Sequence, residues 1–201
     1  MSDMRIRAFI GASLAFIVLP CLAGDLEDGI RAHDRGDYAK AAGAFQKATS
    51  RGNAEAQRRL GFMYYHGEGV AQDNKRAVAL FESAVAAGDV ESASNLAKMY
   101  EFGMGVEPDE KRASAWYRKA AEMGEPASQF TTSVMYYKGQ GVERDRVEAA
   151  MWWTLAMGHG GAFAESIRVS VESAEGKLTP GEVAEGRRRA AEWTKAHDAK
   201  K

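Results

Sequence analysis

Tyr64-Tyr65-His66-Gly67-Glu68-Gly69-Val70 recurs as Tyr100-Glu101-Phe102-Gly103-Met104-Gly105-Val106 and again as Tyr136-Tyr137-Lys138-Gly139-Gln140-Gly141-Val142. The copies start 36 residues apart each time. A Gly-x-Gly pair raises the question of a phosphate-binding loop. A dinucleotide fingerprint places its glycines after a strand and at the opening of a helix. Here each pair follows an amphipathic stretch that carries its apolar residues at helical spacing, as Leu60 and Tyr64 do. Gly just past a helix end takes positive φ without steric cost. The pairs therefore read as helix stops that turn the chain, and three copies argue further against three nucleotide sites.

Working outward, the register holds over the whole period. Leu60, Leu96 and Thr132 coincide, followed by Gly61, Ala97 and Ser133, and by Tyr64, Tyr100 and Tyr136. After each glycine pair come Asp73, Asp109 and Asp145, then Ala77, Ala113 and Ala149, then Leu80, Trp116 and Trp152. Phe81, Tyr117 and Trp153 are next, then Ala84, Ala120 and Ala156, and Gly88, Gly124 and Gly160 close each unit. Each Asp is an N-cap for a second helix. In the first unit that helix has apolar residues at 77, 80, 81, 84 and 85, a core-facing stripe. A single hairpin of this kind cannot cover its own apolar face, whereas stacked neighbours can, so the array is an all-α solenoid.

The segment before these units has a shorter link. Gly29, Gly36, Tyr38, Ala41, Phe45 and Ala48 match the spacing of a tetratricopeptide (TPR) repeat. Leu60-Gly61-x-x-Tyr64-x-x-Gly67-x-Gly69-Val70-x-x-Asp73-x-x-x-Ala77-x-x-Leu80-Phe81 closely resembles the Sel-one-like repeat (SLR), a subclass of TPR-like α/α repeats. The resemblance covers residues 26–160. It implies an α/α superhelix of helical hairpins: a TPR-like hairpin over 26–52, then SLR repeats over 53–88, 89–124 and 125–160. Thr132 and Ser133 depart from the Leu-Gly pair, which predicts looser packing of that helix. After Gly160 the pattern stops. Phe163 to Glu175 reads as one helix, and Thr179-Pro180-Gly181-Glu182 as the capped start of another. Residues 161–197 are expected to cap the solenoid, with Asp198 to Lys201 frayed.

The N-terminus has its own logic. Arg5 and Arg7 precede an apolar run of 12 residues, Ala8 to Leu19, which Pro20 breaks before Cys21-Leu22-Ala23-Gly24. That order is a signal peptide, residues 1–23, cleaved after Ala23 or Gly24. Twelve helical residues rise only about 18 Å, too short to span a bilayer. An uncleaved anchor or a buried helix is the competing reading. Lipidation of Cys21 ranks second to simple cleavage, because Pro20 departs from the lipoprotein pattern. The mature chain is thus expected in the periplasm or secreted, with no transmembrane span and, once the only Cys is removed, no disulfide.

Composition excludes more than it proposes. With 27 basic and 28 acidic residues there is no clustered basic excess for nucleic acid. His33, His66, His159 and His197 show no metal-ligand spacing, and no His-Glu-x-x-His or Gly-x-Ser-x-Gly occurs. Arg187-Arg188-Arg189 sits among Glu182, Glu185 and Glu192 and reads as a mixed charged face, with an acidic-partner site as the second reading. Trp116-Tyr117 and Trp152-Trp153 fall on core positions. No catalytic residue, cofactor or metal is expected.

What varies between copies is a second stripe of the first helices, which the resemblance places on the concave face. It supplies Arg58, Phe62, Tyr65 and His66, then Lys98, Glu101 and Phe102, then Phe130, Tyr137 and Lys138. Aromatic anchors beside charges have the composition of a protein-binding hot spot; the alternative is that some of them tuck between repeats or against the cap. The reading is an exported adaptor or scaffold that binds a protein or peptide. A secreted effector that binds host proteins, or a cell-wall or β-lactam hydrolase, are the alternatives that family resemblance leaves open.

Overall fold

The computed structural model describes residues 19–199, with side chains from Gly24 onward. The expected signal peptide and the lipidation site at Cys21 fall outside that description, except for the backbone from Leu19 to Ala23, which opens the first helix. All regular elements among the described residues are helices: α1 (Leu19–Asp34), α2 (Tyr38–Thr49), α3 (Ala54–His66), α4 (Asn74–Ala86), α5 (Val90–Phe102), α6 (Glu110–Glu122), α7 (Pro126–Lys138), α8 (Arg146–Gly158), α9 (Gly161–Glu175) and α10 (Pro180–Asp198). Each odd helix up to α7 pairs with its even successor, and each hairpin stacks on the next, giving the α/α solenoid. None of the described helices is long and apolar enough to cross a membrane.

The helix starts follow from short polar side chains. Asn53, Asp73, Asp89, Asp109 and Asp145 each accept from the backbone N–H three residues on, at 2.8–3.0 Å. Each cap satisfies an amide that the first helical turn leaves unpaired and stabilises its helix by about 1 kcal/mol. Packing then depends on alanine. Ala41, Ala77, Ala113 and Ala149 are fully buried, as are Ala48, Ala84, Ala120 and Ala156. Their small side chains let the hairpins approach closely, and Phe45, Phe81, Tyr117 and Trp153 fill the space between them, each 6% exposed or less.

The two glycines of each link have different duties. Gly67, Gly103 and Gly139 lie at φ 74°, 67° and 76° and end α3, α5 and α7, as the spacing predicts. Gly69, Gly105 and Gly141 do something the turn reading does not contain. A Cβ on Gly69 would lie 2.3 Å from the Tyr38 carbonyl carbon, one on Gly105 2.3 Å from Asn74 Cβ, and one on Gly141 2.1 Å from the Glu110 carbonyl oxygen. Each second glycine therefore rests on the first turn of the previous unit's second helix. The link is a joint between repeats as well as a turn within one.

At the C-terminal end, α9 starts at Gly161, two residues before the expected Phe163. The helix α10 begins with the expected capping box: Glu182 N–H donates to Thr179 Oγ1 at 3.2 Å, and Thr179 N–H donates to Glu182 Oε2 at 2.7 Å. α10 covers α8 through Gly186, where a Cβ would meet Ala150 Cβ at 2.4 Å, and through Trp193, edge-on to Trp152 at 6.0 Å. α9 instead places Ile167 and Val171 in one cluster with Trp153, Phe130 and Tyr137. Thr132 and Ser133 remain in the core, 2% and 0% exposed, so α7 keeps its place despite the lost Leu-Gly pair.

Candidate partner-binding cleft

The variable stripe of the first helices separates into three groups. In the first copy most of it is occupied by contacts within the solenoid. Arg58 Nε donates to Asp89 Oδ1 at 3.1 Å and its Nη1 lies 2.8 Å from Glu91, tying α3 to the start of α5. Phe62 packs edge-on against Phe81 at 5.2 Å. Tyr65 donates its hydroxyl to Met104 Sδ at 3.0 Å, across to the next link. His66 is exposed and touches the Tyr65 ring edge-on at 4.8 Å.

The second copy is the most open. Lys98 and Glu101 are exposed, and Phe102 is 66% exposed with no core position to fill. Glu101 accepts from the Tyr117 hydroxyl at 2.7 Å. Burial of that phenol, and then the hydrogen bond to Glu101, raise its pKa above the ordinary tyrosine value.

In the third copy Phe130, Tyr137 and Lys138 come together. They line one cleft of about 300 Å³ between α7 and α9. Trp153 and Val171 complete its apolar wall, and Lys177 joins Lys138 among the lining residues. Tyr137 is held from two sides, by Trp153 at a centroid distance of 6.4 Å and by the Arg144 guanidinium 5.7 Å over its ring. The floor is preordered by core packing while the charged ends face water, the arrangement expected where a partner's side chain is received. The α9 contribution is the part that sequence reasoning missed. α9 lies outside the repeat, so no register says which of its faces meets Tyr137.

Among the described residues no group of three or more His, Cys, Asp or Glu is placed to hold a metal ion. The Arg187–Arg189 run is spent locally: Arg187 pairs with Glu175, Arg188 with Glu185 and Glu192, and Arg189 with Glu185 and Glu148.

Comparison with known proteins agrees with this architecture. The Sel1 repeat family model matches residues 54–89, 90–125 and 126–157. No curated protein matches the chain. Among solved structures, c5321, a protective antigen present in uropathogenic Escherichia coli strains and displaying an SLR fold, superposes with a TM-score of 0.72 at 28% identity. That alignment covers 85% of this chain and 38% of c5321. A Sel1 repeat protein from Oxalobacter formigenes gives a TM-score of 0.63 at 27% identity, covering 67% of this chain and 56% of that one. The chain therefore spans less than two thirds of either solved relative. Sel1 repeats typically mediate protein–protein interaction. With three matched repeats over more than half its length, the described solenoid and these two relatives, the chain belongs to the Sel1 repeat family of TPR-like proteins.

Proposed function

We propose that the protein is a non-enzymatic adaptor of the bacterial cell envelope, exported through its N-terminal signal, that holds a protein or peptide partner on the face formed by its first helices. The observation that carries this reading is the convergence of Phe130, Tyr137 and Lys138 on the α7/α9 cleft. Phe130 and Tyr137 pack against the α8/α9 cluster, as Phe62 and Tyr65 pack within the array, and in addition they line the cleft together with Lys138. Phe102 extends the same stripe as an exposed anchor. Aromatic anchors in a desolvated pocket beside exposed charge are where interface energy concentrates.

Crosslinking in cells tests the reading. A photoreactive residue at Tyr137 should capture a defined partner in the periplasmic fraction. The same residue at Lys119, an exposed position on the second-helix side, should not. Equal capture from both positions, or none from Tyr137, sinks the assignment of the binding face. Recovery of the intact chain in the cytoplasm sinks the assignment of compartment.

A further inference from the structure

The α7/α9 cleft has a charge character that narrows the partner. Its lining residues include Lys138 and Lys177 and no Asp or Glu. Both lysines are exposed, and neither forms an ion pair in the structure. Elsewhere Arg58, Arg76, Arg112, Arg118 and Arg168 each have a carboxylate within reach. The described lysines, by contrast, form no ion pairs, and the cleft stands out because two of them share one lining that holds no carboxylate. Arg144, stacked on Tyr137, adds a third positive charge beside it.

The wall supplies a second, independent observation. Trp153 is 3% exposed, and its Nε1–H is buried with no acceptor. A buried donor left without an acceptor is unfavourable. Its repeat neighbour Trp152 differs, since it donates to Glu148 at 3.1 Å. Ser170 and Ser173 add exposed hydroxyls on the α9 side. The cleft therefore combines aromatic surface, two free cations and an unused donor in its wall.

We infer that this cleft receives an acidic peptide segment of the partner, with one bulky apolar side chain against Phe130, Tyr137 and Trp153 and neighbouring carboxylates on Lys138 and Lys177. The inference rests on the adaptor reading and adds the partner's chemistry to it. The chain's own N-terminal segment is a poor occupant, because Arg5 and Arg7 flank its apolar run and would meet like charge. A volume of about 300 Å³ suits one large side chain and its flanking backbone, at the lower end of specific pockets.

The test uses the full chain and a fluorescein-labelled peptide of sequence GSDEFDELSG, with two controls. One replaces the acids by Asn and Gln, the other replaces Phe and Leu by Ser. Anisotropy reads affinity, and the four tryptophan indole N–H signals in a nitrogen-15 correlation spectrum read the site. The acidic peptide should bind roughly tenfold or more tightly than either control, and the Trp153 indole should shift while Trp116 stays put. Lys138→Glu with Lys177→Glu should weaken binding by roughly tenfold while leaving helical circular dichroism unchanged. Equal binding of the uncharged peptide, with the Trp153 shift retained, overturns the acidic assignment and leaves the adaptor reading standing. If no peptide moves the Trp153 indole while crosslinking from Tyr137 still captures a partner, the acidic-peptide inference is lost. Failure of both experiments removes the cleft from function altogether. A Trp153 shift that follows protein concentration without peptide assigns the cleft to a second copy of the chain and overturns the inference.

Discussion

The first and third Sel1 repeats share a register and differ in what fills it. In α3 the buried face is Ala56, Gln57, Leu60, Gly61, Met63 and Tyr64; in α7 it is Ser128, Gln129, Thr132, Ser133 and Met135. One helix is largely apolar and the other largely polar, yet both hold the same place. Some of the polar atoms in α7 are satisfied. Ser133 Oγ donates to the Phe130 carbonyl at 2.6 Å, and Gln129 donates to the Ala121 carbonyl at 3.3 Å and meets His159 Nε2 at 3.0 Å. Ser128 Oγ and Thr132 Oγ1 are buried with no partner. The third repeat compensates with larger side chains on its second helix, where Trp152 and Trp153 replace Leu80 and Phe81. The two repeats also spend the variable stripe differently. Arg58 clasps the next repeat through Asp89, whereas its equivalent Phe130 faces α9, which is no repeat at all. Variation within the array thus follows what the next unit in the stack is.

The comparison breaks first if the links are not joints. Gly141→Ala combines a positive φ with a backbone oxygen 2.1 Å from the new Cβ. It should cost roughly 3 kcal/mol in urea unfolding, the sum of the left-handed penalty and overpacking. Gly124→Ala, at φ 92° but with nothing within 4 Å of a Cβ, should cost only the left-handed penalty, roughly 1–2 kcal/mol. Equal losses at the two sites would mean that the second glycine of the pair is merely a turn residue.

How much of this was legible in the sequence follows from where the information sits. A period of 36 residues with Asp caps and Gly stops is local, and it fixed the helices, their ends and the stacking. The joint role of Gly69 and Gly141 was not legible, because it depends on backbone from the preceding unit, some 31 residues away. The candidate cleft was half legible. Phe130, Tyr137 and Lys138 stood out as stripe residues without a repeat duty, but so did Phe62 and Tyr65, which have core and inter-repeat contacts. Variation between copies marks a residue as free of the framework; it does not say whether a neighbouring repeat has already taken it.

A gentler test concerns the polar α7. Thr132→Val removes the unpartnered Oγ1 and keeps the shape, so it should stabilise the fold by about 1 kcal/mol, read as a higher urea midpoint with an unchanged slope. Leu60→Thr, the reverse exchange in α3, should destabilise by about 2 kcal/mol. If Thr132→Val is destabilising instead, the hydroxyl has a duty in the third repeat that its geometry does not display.

The smallest effect addresses the tyrosines that open each link. Arg76 stacks over Tyr64 at 5.4 Å and Arg112 over Tyr100 at 5.5 Å, but the third copy has Glu148 at that position. Glu148 accepts from Trp152 Nε1 and pairs with Arg189 of α10 at 3.5 Å, so the last repeat has exchanged a contact within its hairpin for one to the cap. Glu148→Arg restores the residue of the first two copies and sets two guanidiniums against each other. We expect a loss of roughly 1 kcal/mol or less, because these charges are partly hydrated. Salt should relieve it, since screening weakens the repulsion between the introduced guanidinium and Arg189. Glu185, which accepts from both Arg188 and Arg189, has its pKa lowered to about 2 by those bonds. A depressed carboxylate pKa stabilises the fold above the ordinary carboxylate range, and the contribution is lost as pH falls toward about 2. Glu185→Gln should therefore flatten the acid limb of the stability profile, read by urea unfolding across pH. A salt-independent loss in Glu148→Arg would place its cost in the Trp152 hydrogen bond, and the exchange from hairpin to cap would then be one of packing and not of charge.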